Sequence, residues 1–419
     1  MNILIIDDLL LPESAKANSA QKLLFFRGAK ENIKRRKLLA REFQSLGANV
    51  LLARLELCSA NSKLSFEYRD ENGLCQLFIR IPAEKSGKFL RLGELFEFSS
   101  VLLENAPGLS GIFLPDVVIS GGILPSSVFA AAKIAESANA VLITELSCFP
   151  KEVFKKFGLV SFFSPAGIFY KRAVEKAFEK SHAVLGFFPE SAKKFPGAHN
   201  LYPMDIPFIN EHEKPSETAV SYHETLSSFG EGKTFVLAFC GEIEEGYSLE
   251  ELVLSAGTFG DKFALVFVFE GPKKPYLKRF VAEKGITNVF FLDNVPKDEA
   301  SFILSAADGI FVSESDFGKG FFPEQENFLD ALFAGKPVIA SSEHHADFFR
   351  RAGGVIITKP RRRDSIALGI KTLLSMTETD RETLGRSNKN FAEKNSFENF
   401  AKNYFSLFDN FVKQKEIKK

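Results

Sequence analysis

Short apolar segments alternate with longer helical segments in two series along this 419-residue chain. The first series runs from Met1 to Phe188 and the second from Thr234 to Ala340. Strands that alternate with helices are typical of parallel sheets covered by helices, because a parallel strand needs a long crossover connection. We therefore predict an α/β fold with two successive domains.

The boundaries of these domains follow from breaks in the same pattern. Residues 204–233 are rich in Pro, Glu, Ser and Gly, which is the composition of a connector. The predicted domains are therefore residues 1–204 and 205–395. Aromatic residues recur at helical spacing in the final segment, 396–413, which predicts a helix with one apolar face. Periodicity does not show which domain this face contacts, so both remain open.

Composition excludes several classes of function. Lys plus Arg and Asp plus Glu both number 53, so the chain has no overall field to attract nucleic acid. The N-terminus lacks a signal pattern and no apolar run is long enough for a membrane span, so we expect a cytoplasmic protein. The four cysteines and six histidines lack the spacing of metal ligands, which predicts no metal site.

One segment, from Pro323 to Ser342, joins a helix with well-marked ends to a short buried strand. Proline suits the first helical position, and Gly335 suits the left-handed residue past the last turn. The apolar run Pro337–Ala340 is typical of a strand buried in a parallel sheet. Asp330 on this helix is placed at the carboxyl edge, where such sheets meet ligands. The alternative is an ordinary solvated carboxylate.

The run from Asn327 to Ile339 resembles the nucleotide-sugar motif of family 4 glycosyltransferases, a retaining family with the GT-B fold. That motif has an acidic residue, Ala, two or three apolar or small residues, Gly, any residue, Pro and Val. The resemblance implies that Asp330, at the acidic position, holds the ribose hydroxyls of the sugar donor. It also implies two Rossmann-like domains with parallel sheets facing across a cleft, and a last helix that crosses back onto the first domain.

A second stretch is similar to the part of the family that borders the nucleotide base, from Phe269 to Pro296. The resemblance implies nucleotide contacts by Gly271 and by the residues after the last strand of the stretch, Asn294, Val295 and Pro296. The family's Gly-rich diphosphate turn corresponds to Gly241–Leu249, which places Gly241 and Glu242 at the nucleotide. Three Glu replace the family's basic residues there, and like charge near a diphosphate is unfavourable.

A lysine in a neighbouring loop is expected to replace the basic residues that the family has at its diphosphate turn. Lys319, between Gly318 and Gly320, is the first candidate, and Lys273 and Lys274 are the others. For Lys319, the alternative is an ordinary exposed loop lysine. We assign Lys319 to catalysis, and Gly318, Gly320 and Lys273 to the sugar and phosphate site.

The family also has a second Glu, eight positions before the ribose-binding acid, and that position is Phe322 here. Glu314, Asp316, Glu324 and Glu326 are near enough in sequence to substitute for it. Asp316, followed by Phe-Gly, most resembles the family's turn. Glu324 and Glu326 have the alternative role of complementing the helix dipole. We assign Asp316 and Glu326 as candidate catalytic acids.

These resemblances imply a retaining, hexosyltransferase-type enzyme that uses a UDP-, GDP- or TDP-sugar and no metal or other cofactor. The expected acceptor is a glycan, a lipid-linked molecule or a protein, because strand ends of the first domain do not identify one. The basic clusters 34–37 and 361–363 either contact the anionic inner face of a membrane or are solvated.

Two other functions remain open. The first is a GT-B protein without catalysis that acts as a binding or scaffolding partner in a glycosylation complex, because the basic residues and the acidic spacing are missing. The second is a nucleotide-sugar epimerase with the same fold, although the carboxylates and His expected of it are not evident. Release of nucleotide from a nucleotide sugar would exclude the scaffold.

Overall fold

The computed structural model describes residues 1–10, 35–58, 65–82, 113–121, 125–146, 172, 175–176, 178–186, 201–203, 214–230, 234–243, 246–314, 323–343 and 345–417. The chain divides into two compact units. Unit 1 contains Met1–Asp205 and Glu398–Lys419, and unit 2 contains Ile206–Phe397. Each unit is an α/β fold built on its own sheet.

In the described part of unit 1, eight strands form one sheet in the order β3-β4-β2-β1-β5-β6-β7-β8. Every neighbouring pair is parallel except β3 and β4. Strand β7, which begins directly after His182, lies beside the short edge strand β8. The strands are β1 (Asn2–Leu10), β2 (Asn49–Cys58), β3 (Ser65–Glu71), β4 (Leu74–Pro82), β5 (Val117–Ser120), β6 (Val141–Leu146), β7 (Ala183–Gly186) and β8 (Leu201–Pro203).

Local sequence explains the turns of this sheet. Helix α1 (35–45) ends before Gly47, whose φ of 89° only glycine adopts readily. The hairpin between β3 and β4 turns at Asn72 and Gly73, both with positive φ, as a two-residue turn between right-twisted strands requires. Helix α2 (Pro125–Ser137) follows β5.

The last helix, α11 (Phe397–Ile417), packs within unit 1. Tyr404 and Phe408 are fully buried, and their ring centroids lie 5.5 and 5.2 Å from that of Phe43 on α1. Near the end of α11, Lys415 Nζ donates to the carbonyl of Asn139, 2.7 Å away, just before β6. The aromatic stripe of this helix is therefore part of the core of unit 1.

A buried ion pair lies beneath α11. Arg36 on α1 and Glu145 on β6 are both almost fully buried, and Arg36 Nη2 lies 2.5 Å from Glu145 Oε2. The same nitrogen donates to the carbonyl of Gly121, after β5, at 2.6 Å. The neighbouring Arg35 is also 1% exposed and faces the ring of Phe400. The prediction that cluster 34–37 faces a membrane or solvent is therefore wrong for its two arginines, since both point into the core.

Six strands of unit 2 form a fully parallel sheet in the order β11-β10-β9-β12-β13-β14, among the residues described. The strands are β9 (Phe235–Phe239), β10 (Phe263–Phe267), β11 (Val289–Phe291), β12 (Gly309–Ser313), β13 (Val338–Ser341) and β14 (Val355–Thr358). The helices are α3 (Glu217–Ser228), α4 (Leu249–Ala256), α5 (Lys274–Glu283), α6 (Ala300–Leu304), α7 (Pro323–Phe333), α8 (Ala346–Ala352), α9 (Arg363–Ser375) and α10 (Glu378–Lys394). Apolar side chains from both faces of the sheet form two cores.

Helix α3 corrects the prediction that 204–233 is a connector. Ser216 caps it, because its hydroxyl accepts from the amide of Ala219 at 3.1 Å and donates to Glu299, before α6. Ala219 and Leu226 are fully buried against the unit 2 core. Ala219 and Leu226 are seven residues apart and therefore lie on the same face of a helix. The polar residues around them obscured this helical pattern in the sequence.

Helix α7 has the ends that its sequence predicts. It begins at Pro323, and Gly335 after it has a φ of 71°. Asn388 on α10, fully buried, fixes the loops around it: its Nδ2 donates to the carbonyl of Lys336 at 2.9 Å and its Oδ1 accepts from the amide of Gly354 at 3.1 Å. These bonds satisfy backbone groups at the starts of β13 and β14 and hold α7 against the sheet.

Candidate functional site

The strand order of unit 2 marks one position on the sheet for a ligand. From β9 the chain proceeds to β10 and β11 on one side, then returns to β12 and continues to β13 and β14 on the other. The loops after β9 and β12 therefore leave the sheet in opposite directions. In open α/β sheets ligands bind at the carboxyl ends of such a pair of strands. The residues around Cys240 and the helix α7 that follows β12 occupy this position.

The start of α7 lies directly against the end of β9. The amide of Cys240 donates to the carbonyl of Phe311 on β12 at 2.9 Å, and its thiol donates to the carbonyl of Asn327 on α7 at 3.3 Å. Gly241 follows with a φ of 150°, and a Cβ there would lie 3.2 Å from the ring of Phe239 and 3.9 Å from Asn327 Nδ2. A glycine is therefore required where this loop leaves β9.

Asp330 lies one turn beyond Asn327 on the same side of α7 and is partly exposed. Its charge reaches the thiol of Cys240: burial raises the pKa of Cys240 well above its usual value, the negative charge of Asp330 adds to this, and Lys297 opposes it. The buried thiol therefore stays protonated, and it is influenced by a carboxylate on α7 and by an ammonium group in the segment after β11.

Lys297, the first residue after Pro296, places a cation near the site. Lys297 Nζ lies 3.5 Å from Glu242 Oε1, in the loop after β9. Both side chains are partly buried, with 33% of the Lys297 side chain and 17% of the Glu242 side chain exposed. The negative charge of Glu242, which would oppose a bound anion, is thus paired with a lysine from the loop after β11.

The loops after β9 and β10 lie in direct contact because residue 271 is a glycine. The amide of Ile243 donates to the carbonyl of Glu270 at 3.0 Å, and the amide of Lys273 donates to the carbonyl of Ile243 at 2.8 Å. A Cβ on Gly271 would overlap the backbone of Ile243. Gly271 therefore allows the backbone of the first loop to lie on the second.

Lys274 joins the loops after β10 and β11. It is 4% exposed, and its Nζ lies 2.6 Å from Glu270 Oε1 and 2.7 Å from Asp293 Oδ1, and also donates to the carbonyl of Leu292. Partial burial of Glu270 opposes ionisation, but the bonds from Lys274 and from the amide of Asn294 hold the pKa of Glu270 below its usual value. The pKa of Asp293 is lowered first by its bond from Lys274. These bonds fix Asn294, which has a φ of 61°, and with it the segment that ends at Pro296.

The loops after β12 and β13 share a buried polar cluster. Glu314, 5% exposed, accepts through Oε2 from the hydroxyl of Ser342 at 2.7 Å and from the amide of Glu343 at 3.0 Å. His345 Nδ1 lies 3.7 Å from the same oxygen, and its ring contacts Phe328 on α7. The carboxylate of Glu314, one of the acids considered for the sugar, thus holds the β13 loop beside α7.

All seven predicted nucleotide-binding residues lie at this one edge of the sheet. They are Gly241, Glu242, Gly271, Asn294, Val295, Pro296 and Asp330. Lys273 is directed to a different partner, since its Nζ lies 3.0 Å from Glu250 on α4 and 5.0 Å from the ring of Tyr276. Asp316, Gly318, Lys319 and Gly320 lie outside the described residues, and so does the side chain of Glu326. The roles assigned to all of these residues stay predictions.

Lys297 is the functional candidate that sequence reasoning missed. The signal was its position immediately after the Asn294–Pro296 segment, and its relation to Glu242 depends on the strand order. Across the described ranges, no group of three or more His, Cys, Asp or Glu side chains converges as a metal site would require. No helix among those ranges is both long and apolar enough to span a bilayer.

No family model matches this chain, and no curated protein matches it. Solved structures do match along nearly the whole length. A sucrose-phosphate synthase from Thermosynechococcus elongatus is 14% identical with a TM-score of 0.65, over 98% of this chain and 99% of that one. A trehalose-6-phosphate structure from E. coli, bound with UDP-2-fluoro glucose, is 10% identical with a TM-score of 0.63, over 96% and 98%.

A third match is Alr3699/HepE from Anabaena in complex with UDP and glucose, 14% identical with a TM-score of 0.57, over 96% of this chain and 98% of that one. At such identities the likeness concerns the fold. The chain has an α/β fold with two parallel-sheet domains that matches GT-B glycosyltransferase structures, which confirms the predicted fold class.

Proposed function

We propose that this protein is a glycosyltransferase that takes its sugar from a nucleotide diphosphate, with the nucleotide bound at the carboxyl edge of the unit 2 sheet. The observation that carries the proposal is the position of Asp330: it is partly exposed on α7, at the switch point between β9 and β12, and one turn beyond Asn327, which contacts Cys240 at the end of β9. The fold shared with structures that contain UDP supports it.

The roles of the residues follow from their chemistry. A carboxylate such as that of Asp330 accepts two hydrogen bonds from neighbouring ribose hydroxyls. Asn294, Val295 and Pro296, fixed through Glu270 and Lys274, border the base in this proposal. The reaction then needs stabilisation of the leaving diphosphate as the sugar becomes cationic. We infer that basic side chains supply it without a metal, so that chelation with EDTA leaves the rate unchanged.

The finer parts of the proposal rest on the resemblance of Asn327–Ile339 to family 4. They are retention of configuration, transfer of a hexose, and an acceptor that is a glycan, a lipid-linked molecule or a protein. We also propose a cytoplasmic location with peripheral membrane contact. For that contact, the basic side chains that remain at the surface include Arg362 and Arg363.

The test is ligand stabilisation of the purified chain. UDP, GDP and TDP are added at millimolar concentration, and we expect one of them to raise the melting temperature, since a ligand at 100 times its Kd stabilises the native state by about 2.7 kcal/mol. Asp330→Asn should lose this shift. The matched control is Asp261→Asn, an exposed carboxylate at the opposite edge of the same sheet, which should keep it.

The alternative without catalysis makes a different prediction. A scaffold binds nucleotide and releases none from a nucleotide sugar, whereas the proposed enzyme slowly hydrolyses its donor in the absence of an acceptor. Release of free nucleotide that Asp330→Asn abolishes would exclude the scaffold. If none of the three nucleotides stabilises the protein and Asp330→Asn leaves donor turnover intact, the proposed function is wrong.

A further inference from the structure

We propose that His182 makes the attachment of the end of α11 to unit 1 sensitive to pH, so that protonation of this side chain favours release of the helix end. His182 lies directly before β7, and α11 is the last helix of the chain. Both belong to unit 1, so the inference goes beyond the function proposed for unit 2 and does not depend on it.

The ring of His182 accepts a hydrogen bond that requires its neutral form. The amide of Leu142 on β6 donates to His182 Nδ1 at 3.1 Å, and the amide of His182 donates to the carbonyl of Leu142 at 2.8 Å. A neutral imidazole has one nitrogen that accepts, whereas both nitrogens donate in the protonated ring. Protonation at Nδ1 therefore removes the bond from Leu142 and directs the new N–H of the ring at the amide N–H.

The same ring is a contact for the last turns of α11. The centroid of the His182 ring lies 6.1 Å from that of Phe411, and the two rings meet edge to face at 69°. Phe411 also meets the ring of Tyr202 on β8, with the centroids 6.2 Å apart. One turn later, Lys415 Nζ donates to the carbonyl of Asn139 at 2.7 Å, just before β6. The end of α11 is therefore held against the part of the sheet that His182 joins.

The surroundings of His182 oppose its protonation. Burial lowers the pKa of His182 below its ordinary value of 6.5, and the positive charge of Lys415 on α11 lowers this pKa further. A protonated ring would therefore repel the lysine that fastens the end of the helix. Neighbouring charged side chains on the elements around the ring have their own partners: Lys180 with Glu136, Glu145 with Arg36, and Lys413 with Asp409 and Glu416.

The sign of the pH dependence follows from the lowered pKa. When the helix end is released, water reaches the His182 ring and its pKa returns toward the ordinary value, so the released form binds a proton more readily than the docked form. The docked form is therefore fully favoured above pH 6.5 and becomes less stable as the pH falls below that value. A single proton changes this equilibrium by at most about tenfold per pH unit, and the change ends once the docked form is protonated as well.

The test is hydrogen exchange of the amides in residues 405–417 at about pH 7.5 and about pH 5.5, corrected for the intrinsic exchange rate at each pH. We expect protection to be severalfold lower at the acid pH. His182→Asn, which offers an acceptor oxygen in place of Nδ1 but does not titrate, should remove this difference. His223→Asn is the matched control and should keep it, because His223 on α3 of unit 2 is also partly exposed and stacks on a ring, that of Phe302, with the centroids 4.9 Å apart.

Lys415→Met provides a second measurement. Without the ammonium group the docked form accepts a proton more easily, so the difference in protection between the two pH values should become smaller than in the natural chain. Equal protection at both pH values in the natural chain, or the full difference in His182→Asn, would overturn the inference. If His182→Asn does not fold, Lys415→Met decides, and an undiminished difference in that variant would overturn the inference.

Discussion

Replacement of Glu145 by Gln should destabilise unit 1 strongly. The carboxylate faces Arg36 at 2.5 Å, and both side chains are almost fully buried. Burial alone would raise the pKa of Glu145, but the charge of Arg36 and its hydrogen bond outweigh this and lower the pKa below its usual value. The variant therefore removes the buried carboxylate that faces the Arg36 guanidinium. Breaking such a pair costs about 3 to 5 kcal/mol of the free energy of unfolding.

The assay is thermal and urea unfolding, with the two units followed as separate transitions. For a unit of this size, 1 kcal/mol corresponds to a shift of about 2 to 4 °C, so the melting temperature of unit 1 should fall by about 6 to 20 °C. The transition of unit 2 should not move. Glu136→Gln is the matched control: its ion pair with Lys180 is exposed, so the melting temperature of unit 1 should stay nearly unchanged.

The pH dependence gives an independent check of the same pair. A carboxyl whose pKa is lowered by folding contributes stability above its unfolded value, and this stability is lost as the pH falls through the folded value. Unit 1 should therefore lose stability as the pH falls below 4.5, the ordinary value for Glu, and Glu145→Gln should flatten that dependence. A double variant, Arg36→Met with Glu145→Leu, should be more stable than Glu145→Gln. A loss below about 1 kcal/mol in the single variant would refute the reasoning.

Four further substitutions test other parts of the molecule. Phe408→Ala removes a fully buried ring from α11 and should cost unit 1 about 3 to 5 kcal/mol in urea unfolding. Gly385→Ala places a methyl group on the carbonyl of Gly335 and should cost unit 2 about 1 to 3 kcal/mol. Lys274→Met leaves the carbonyl of Leu292 without its donor and should cost about 1 to 3 kcal/mol, with weaker UDP binding by calorimetry. Gly271→Ala should displace the Ile243 backbone, which destabilises unit 2 by about 1 to 3 kcal/mol in urea unfolding and weakens UDP binding, and the stability of unit 1 should not change.

Regular elements with strong local signals were predictable from the sequence. Helix α7 has Pro323 at its start and Gly335 after its end, and both act as local chemistry requires. The alternation of strands and helices likewise determined the fold class, because a parallel sheet is the arrangement that such connections permit. Each of these signals comes from residues that are close together in the sequence.

Other features depend on which residues meet across the fold. In sequence, the basic residues Arg35 and Arg36 resemble a solvated cluster. In the fold they are buried, because Glu145 and the rings of α11 cover them. Those partners lie more than 100 residues away along the chain, so the local sequence does not reveal them. Helix α3 was missed because its buried residues are few and its surroundings polar. A charged residue can be assigned to the surface or the core only when its partner is known.

The candidate site also depends on residues that meet only in the folded chain. The sequence places three glutamates where the family has basic residues, and by itself that substitution argues against binding a diphosphate. In the folded chain, β11 lies two strands from β9, with β10 between them. Gly271, in the loop after β10, leaves room for the backbone of the loop after β9 to lie against it. Glu242 thereby meets Lys297, and the net charge of the pair is zero. The pairing of Glu242 with Lys297 therefore offsets one of the three negative charges that the sequence places in this loop.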